Sequence, residues 1–532
     1  MKKLSVLLAF LLASPLAVSL PAALAGAQVA PNIVNGAPEF AEPTTAALLQ
    51  GLDPPTAFIA CSATLIGCDT AITAGHCFNV SASTRRTLFF QHAGFYEIES
   101  ATRHPAYASC YDQGGGICND LSITRQEDIT LIKLVNRVSG ITPSPINTTQ
   151  TPGPATPGRV VGFGRDPLHE VSSFLQNLGI KRSGWMTLAA CQDPTLSPYD
   201  VLCWDPSETI GDPGDDVSTC NVDSGGPLFV DQAGAKVVAG ITKGAILTSG
   251  SCIPPVEAYD VNVFRHHPWI EQTVGQLGGV DLSVANCGSL PQLDADAATV
   301  PCSALAWFEG DAPRVCGFQG ELSSSLLQQQ NSFQVPADTH RLRVTLNGVS
   351  RVTNPVDVSL YVRKDAPPTT SVYDCAGVAT GNFAACEFNQ PQAGTWYVLA
   401  VRVTGTVGYQ ITATEFGPTP VGPDTDADGW EDAFDNCTSV ANYPQKDIDS
   451  DGCGDLCDAD FDQDGASGLM DFGILKMSFG KSEGAPDYNP LADMDCDGSV
   501  GLLDYGIFAP KFNGAPGPSG LPPSLKTPVA CP

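Results

Sequence analysis

Basic residues are scarce. The 532-residue chain has 27 Lys+Arg against 57 Asp+Glu, a formal net charge of −30. With no basic surplus to neutralise phosphates, nucleic acid is excluded as a partner. Charged residues of both signs make up only 16% of the chain, below the roughly 25% of ordinary soluble domains. Beyond the N-terminus no apolar run approaches the length of a membrane span. Gly (53) and Pro (43) are plentiful, which favours turns and β-rich modules over long helices. A chain this long exceeds what one hydrophobic core serves and divides into about three or four domains.

Lys2 and Lys3 precede an apolar run from Leu4 to Leu20, followed by Ala23-Leu24-Ala25. This is the charged, apolar and small-residue order of a cleaved export signal, residues 1–25. The protein is therefore expected to be secreted, extracellular and without a membrane anchor. In that compartment its 19 Cys read as disulfides rather than as metal or redox sites.

Residues 26–285 alternate short apolar runs (Ser62–Ile66, Asp128–Val135, Arg159–Phe163, Val237–Ile241) with Gly/Pro turns. The pattern predicts an all-β sandwich or barrel with one helix near His267–Leu277. Residues 286–300 read as a linker. A second β-rich block spans 301–417, with alternation at Leu342–Leu346, Val356–Val362 and Trp396–Val403. From Val421 Asp dominates and Arg is absent, and residues 514–532 form a Pro-rich tail.

Four segments of the first block belong together: Ile33-Val34-Asn35-Gly36, Thr73-Ala74-Gly75-His76-Cys77, Asp128-Ile129-Thr130-Leu131, and Cys220-Asn221-Val222-Asp223-Ser224-Gly225-Gly226-Pro227-Leu228. His, Asp and Ser follow in one of the known chain orders of a base–orienter–nucleophile triad. A Ser hydroxyl is a poor nucleophile alone, so His76 would take the Ser224 proton and return it to the leaving amine. Asp128, opening an alternating strand, would hold the His76 tautomer; Asp120 is the rival for that role. Gly225-Gly226 permits a tight turn that exposes the hydroxyl.

On these motifs residues 33–285 resemble the chymotrypsin/trypsin family of serine endopeptidases. The resemblance implies a double β-barrel with the triad in the cleft between barrels. It implies an oxyanion hole from the N–H groups of Val222 and Ser224, although the family usually has Gly at the Val222 position. A β-branched residue resists positive φ there. The resemblance also implies a zymogen with propeptide 26–32. Cleavage after Asn32 would free the Ile33 amine to pair with Asp223, since a buried charge must be paired. At the pocket base stands Ser218, which favours apolar or aromatic side chains, and Glu257 is a second candidate for the pocket wall. The family pairings are Cys61–Cys77, Cys191–Cys203 and Cys220–Cys252. Cys110–Cys118 reads as a local closure; the pairing of Cys68 is left open, with Cys287 as the leading candidate. Each closed loop limits the unfolded ensemble by a few kcal/mol.

In the second block, Asp357–Val362, Tyr373-Asp374-Cys375 and Pro391–Val398 resemble the bacterial pre-peptidase C-terminal (PPC) domain, a β-sandwich. Cys302–Cys316 and Cys375–Cys386 read as local disulfides. A role in adsorption or secretion and a role as folded spacer both remain open.

The acidic region repeats one rule four times: Asp at positions 1, 3, 5 and 12, with Gly at 6. The loops are Asp424-Asp426-Asp428-Asp435, Asp447-Asp449-Asp451-Asp458, Asp460-Asp462-Asp464-Asp471 and Asp493-Asp495-Asp497-Asp504. Alternate carboxylates converge on one hard cation and Gly permits the sharp turn, the arrangement that binds calcium. Residues 421–459 resemble thrombospondin type 3 repeats, implying Cys437–Cys457. Residues 460–513 resemble a dockerin pair of loop–helix units, for which a cohesin-like or cell-surface partner would be expected. The contacting positions are apolar here (Leu469-Met470, Leu502-Leu503), which favours calcium-dependent structure alone.

The expected protein is mostly β and multidomain: a chymotrypsin-like double β-barrel, a β-sandwich, then small calcium-loop modules with short helices. Its expected activity is that of a secreted, zymogen-activated serine endopeptidase acting on protein or peptide substrates. Calcium is the one expected cofactor, and none is needed for the chemistry. The alternative is a calcium-dependent adhesive or assembly protein with a degenerate protease domain.

Overall fold

A computed structural model of the chain describes residues 36–51, 58–78, 85–113, 125–165, 178–205, 217–247, 255–278, 282, 287–288, 290–294, 301–308, 311–348, 357–377, 382–418, 425–426, 430, 432–442, 446–449, 451–495 and 498–521. The expected signal peptide and propeptide (1–32), Ile33, Asp120, Cys118, Cys252, Asp424, Asp428 and Asp497 lie outside the described residues.

After the short β1 (Ala37–Pro38) come β2 (Thr45–Gly51), β3 (Phe58–Leu65), β4 (Thr70–Thr73), β5 (Arg85–Phe90), β6 (Gly94–Arg103), helix α1 (Pro105–Gln113) and β7 (Thr130–Leu134). Strands β2-β3-β4-β7-β6-β5 close into a barrel in that order. Their composition explains this: every residue of β4 and β7 is buried, as is β2 from Thr45 to Gln50. Even Lys133 of β7 is inside, held by Asp69 Oδ2 at 2.6 Å, because a buried charge requires a partner.

Strands β8 (Pro157–Gly162), β9 (Arg182–Thr187), β10 (Val201–Trp204), β11 (Pro227–Gln232), β12 (Ala235–Leu247) and β13 (Pro255–Asn262) form a second sheet, ordered β1-β9-β8-β11-β12-β13-β10. An antiparallel bridge between Ala189, just past β9, and Cys203 of β10 joins the two sides of this sheet. Val160, Met186, Trp204, Leu228 and Val230 fill it. Helix α2 (Val263–Gln276) follows. It begins before the expected His267 because the Asn262 side chain caps it, accepting from Phe264 N–H at 3.2 Å. Pro268 lies inside the helix and has no N–H for the Phe264 carbonyl. The His267 ring takes its place, with Nδ1 2.7 Å from that oxygen.

Part of the expected linker is packed rather than free. Cys287 is disulfide-bonded to Cys68, Leu293 bridges to Ile141, and Leu290 and Leu293 are buried. Among the described cysteines Cys61–Cys77, Cys191–Cys203, Cys302–Cys316, Cys375–Cys386 and Cys437–Cys457 are bonded as expected. Cys110, Cys220 and Cys453 are also disulfide-bonded.

The second block contains β14 (Arg314–Leu322), β15 (Gln328–Val335), β16 (Arg341–Gly348), β17 (Asp357–Lys364), β18 (Cys375–Gly377), β19 (Phe383–Asn389), β20 (Gly394–Thr404) and β21 (Val407–Phe416). They form two four-stranded sheets, β14-β21-β16-β19 and β15-β20-β17-β18. Leu342, Val344 and Leu346 of β16 face Val358, Leu360, Val362 and Val398 in the core between the sheets. The polar residues that alternate with them would meet water in an isolated sandwich. Here Arg343, Thr345, Asn347, Gln410, Thr412 and Thr414 are all buried. They meet the barrel domain instead. Arg343 donates to Ser139 O at 2.7 Å, Asn347 to Gly179 O at 2.8 Å, and Lys181 N to Gln410 Oε1 at 2.8 Å. Phe383 stacks edge-on against Phe89, with centroids 4.9 Å apart.

The acidic region contributes α3 (Leu469–Ser478) and α4 (Leu502–Phe508) around Phe461, Leu475, Met494, Val500 and Phe508. No helix among the described residues is long and apolar enough to cross a membrane.

Candidate active site

Strand register brings the first two site residues together. Strands β4 and β7 pair so that Thr73 faces Thr130. His76 lies just beyond the end of β4, in a short 3-10 turn, and Asp128 just before β7. Asp128 Oδ2 lies 2.9 Å from His76 Nδ1, and Oδ1 accepts the His76 backbone N–H at 2.7 Å. Asp128 is fully buried while the His76 side chain is 29% exposed. The carboxylate is thus sealed and the imidazole reaches the surface. Between them, Gly75 leaves no room for a side chain, since a Cβ would sit 2.9 Å from Asp128 Oδ1.

Ser224 lies on a turn fastened to both barrels. Its carbonyl accepts from Ser62 N–H of β3 at 2.9 Å. Gly225 N donates to Thr242 O and Thr242 N to Gly226 O, both at 2.8 Å, tying the turn to β12. Gly225 has φ +84°, and a Cβ there would be 2.0 Å from Thr73 Oγ1, so only glycine fits. Cys77 Sγ is 3.9 Å from Ser224 O, which puts the serine main chain beside the residue following His76.

Val222 takes φ +79°, in the left-handed region, despite its branched side chain. Two contacts hold it there. Ser62 Oγ donates to Val222 O at 3.1 Å while accepting from Phe163 N–H at 3.1 Å. The valine side chain packs on a cluster of Ala47, Leu49, Ile59, Phe89, Phe163, Leu178 and Phe383. The last of these belongs to the β-sandwich.

Asp223 is buried and accepts from Gly164 N–H at 2.7 Å and Cys220 N–H at 2.9 Å. Asp260 of β13, also buried, has its carboxyl pushed well up by burial, with the Asp223 charge adding to the effect. Ser218 is fully buried, its Oγ 3.4 Å from Thr219 O. Glu257 does not stand free on a pocket wall. Its oxygens accept from Gln192 N–H at 2.5 Å and Asp193 N–H at 2.9 Å, which braces the loop closed by Cys191–Cys203.

One contact was not read from the sequence. Lys243 Nζ lies 2.8 Å from Asp128 Oδ2, the oxygen that faces His76. Burial pushes the Asp128 carboxyl up, but His76 and Lys243 outweigh it and hold the group at about 2. The available signal was local: Gly240-Ile241-Thr242-Lys243-Gly244 departs from the Ser-Trp-Gly usual in the family.

Residues 36–270 match the trypsin family model. The chain carries a trypsin-family domain. Residues 332–401 match the bacterial pre-peptidase C-terminal domain, and 423–445 and 446–472 match the thrombospondin type 3 repeat. The second repeat match takes in the loop from Asp460 to Asp471 as well. The chain is 45% identical over 58 residues to xanthomonalisin of Xanthomonas sp. (strain T-22), covering 11% of this chain but only 7% of that protein. It is 25% identical over 224 residues to fibrinolytic enzyme, isozyme C, of Lumbricus rubellus, covering 40% of this chain and 86% of that one. A solved structure of neuropsin, a serine protease expressed in mouse brain, aligns at 20% identity with a TM-score of 0.33, covering 44% of this chain and 95% of that one. The trypsin-family domain accounts for both barrels, and its match ends within α2.

In the acidic region the loops fall into two kinds. Thr425 N donates to Asp432 at 2.8 Å and Ile448 N to Asp455 at 2.9 Å, so the first two loops close on position 9. Asp462 N donates to Asp471 at 3.0 Å and Asp495 N to Asp504 at 3.2 Å, so the last two close on position 12. Position 9 of the last two is Gly468 and Gly501. Asp432 and Asp455 are therefore loop-building residues that the four-fold rule overlooked. Asp447, Asp449 and Asp451 bring carboxylate oxygens within 4.8 Å of one another. Burial, reinforced by neighbouring carboxylates, pushes Asp449 up to about 9 and Asp458 up to about 8. Crowded carboxylate oxygens are the kind of donor that a hard divalent cation takes.

Proposed function

We propose that the chain is a secreted serine endopeptidase, made as a zymogen and supported by calcium-binding modules. The carrying observation is the double hold of Asp128 on the His76 ring and backbone, beside a Ser224 turn fastened to both barrels. In this reading His76 accepts the Ser224 proton as the oxygen attacks the peptide carbonyl. Asp128, kept ionised, holds the proton on Nδ1 and supports the imidazolium. His76 then protonates the leaving amine, and water releases the acyl group by the reverse transfer. The N–H groups of Val222 and Ser224 would receive the oxyanion. Preorganised donors of this kind are worth about 2.7–4 kcal/mol each. The positive φ of Val222 is the conformation in which a glycine would present that donor.

Cleavage after Asn32 would deliver the Ile33 amine to Asp223, whose carboxylate is already buried. Ser218, uncharged at the pocket base, favours an apolar or aromatic side chain before the scissile bond. Calcium would be held by Asp426, Asp432 and Asp435, by Asp447, Asp449, Asp451, Asp455 and Asp458, and by the corresponding acids of the last two loops. It would supply the charge that lets these carboxylates share a loop. A second reading, a calcium-dependent assembly protein with an inactive domain, draws on the Lys243–Asp128 pair, which offsets the charge that His76 relies on.

Peptide hydrolysis separates the two readings. Chain beginning at Ile33 should cleave apolar-directed peptide substrates, whereas chain still carrying Asn32, or carrying Ser224→Ala, should not. Equal rates in the cut and uncut forms would remove the zymogen step. Absence of turnover in every form would favour the assembly reading.

A further inference from the structure

Behind the triad aspartate lies a second cluster that the proposed chemistry does not use. His104 stands where β6 gives way to α1, Glu127 directly precedes Asp128, and His266 lies near the start of α2. Glu127 Oε2 is 3.1 Å from His104 Nδ1 and 3.7 Å from His266 Nδ1. One ligand atom from each of the three residues lies within 4.8 Å of the others, and His104 Nδ1, Glu127 Oε2 and His266 Nδ1 are all buried without a hydrogen bond. His266 is 1% exposed, and its other ring nitrogen, Nε2, lies 2.9 Å from Gln126 O. A proton on Nε2 satisfies that carbonyl and leaves Nδ1 as a bare lone pair facing Glu127.

We propose that His104, Glu127 and His266 form a three-ligand zinc site. Two imidazoles and a carboxylate are a borderline donor set suited to zinc. With bonds of about 2.0–2.1 Å, a tetrahedral zinc ion spaces its ligands about 3.3 Å apart. The observed separations of 3.1 and 3.7 Å straddle that value. The neighbouring charges allow it. Arg265 Nη2 approaches the other Glu127 oxygen at 3.7 Å, but its Nε is engaged by Asp200 Oδ1 at 3.0 Å. Edge contacts from Trp269 and His266, with centroids 5.0 and 5.2 Å away, fix the His104 ring. His104 and Glu127 are each 17% exposed, so the cluster lies close to the surface from which an ion would enter, and water would complete the four-coordinate shell. The ligands come from three chain segments, so the ion would tie the approach to Asp128 to the C-terminal helix of the barrel domain. This site stands independently of the peptidase reading.

The test uses full-length protein saturated with calcium, so that the acidic loops are occupied, titrated with zinc chloride by calorimetry. One zinc per chain should bind, and the thermal midpoint should rise by several degrees at a hundredfold excess over Kd. Glu127→Gln and His104→Gln, which keep the side-chain size, should each weaken binding at least tenfold. Cobalt in the unmutated chain should give the strong visible absorption of a four-coordinate site, a readout that needs no variant to fold. Absence of zinc uptake, unchanged affinity in both variants, or loss of binding on His76→Ala alone would overturn the site.

Discussion

Val222 offers a test in which strain and packing oppose each other. At φ +79° a non-glycine residue stores about 1–3 kcal/mol of backbone strain. Against this, its half-buried side chain lies on the cluster of Phe163, Phe89 and Phe383. Full burial of a valine is worth about 1.5–3 kcal/mol, so partial burial contributes about 1. Val222→Gly releases the strain, gives up that packing, and costs about 0.5–1 kcal/mol through the freer unfolded chain. The terms nearly cancel, and stability should change by less than about 1 kcal/mol. Val222→Ala gives up the packing but keeps a Cβ in the left-handed region, so it should lose about 1 kcal/mol. The expected order is therefore Gly equal to Val, with Ala below both. Urea melts of the three proteins measure it, and peptide hydrolysis adds a second reading. With the backbone already in the glycine conformation, Val222→Gly should leave kcat/KM within about tenfold, well short of the loss of an oxyanion donor. A glycine variant that loses more than about 2 kcal/mol, or an alanine variant that falls between the other two, would show that strain at this position is not what the geometry implies.

Other consequences follow from the buried charges and loops. Asp128, held at about 2 against an ordinary 3.8, contributes about 2 kcal/mol of stability above pH 4, lost as pH falls through 2. Asp128→Asn should remove that contribution in acid titrations of stability and lower kcat by about four orders of magnitude. Glu415, buried in the sandwich, is pushed up to about 8 by burial, with Arg314 partly opposing. Its raised value favours the folded state below pH 4.5 and progressively less as pH rises towards 8. Glu415→Gln should therefore raise the unfolding midpoint at pH 9, with little gain at pH 4. Calcium removal by EDTA should open residues 425–513 to proteolysis while 36–270 stay resistant, since crowded carboxylates without a cation repel. Resistance unchanged by EDTA would argue against calcium-dependent folding.

The sequence disclosed what is local. His76 and Asp128 each flank a strand, so their meeting follows from pairing β4 with β7, and the motif around Ser224 carries its own turn. The expected disulfides Cys61–Cys77 and Cys191–Cys203 each close a short loop beside a strand of the same barrel. What remained hidden depends on distant segments. Lys243 is not tied to Asp128 by any local pattern; only the placement of β12 brings them together. Arg343, Thr345 and Asn347 read as the wet face of a sandwich, because alternation reports that a face is polar without saying what covers it. Val222 read as an obstacle to positive φ; the structure meets that cost with Ser62 and an apolar cluster drawn from two domains. Asp432 and Asp455 escaped notice because one rule was imposed on two kinds of loop. His104, Glu127 and His266 are far apart in the chain and share no motif.

Reaction of chain cut at Asn32 with a fluorophosphonate, followed by mass spectrometry of the adduct, bears most directly on the central claim. The account predicts one label per chain on Ser224, absent from Ser224→Ala and strongly slowed in His76→Ala. Labelling spread over other serines, or none on Ser224 in a correctly cut and folded chain, would contradict it.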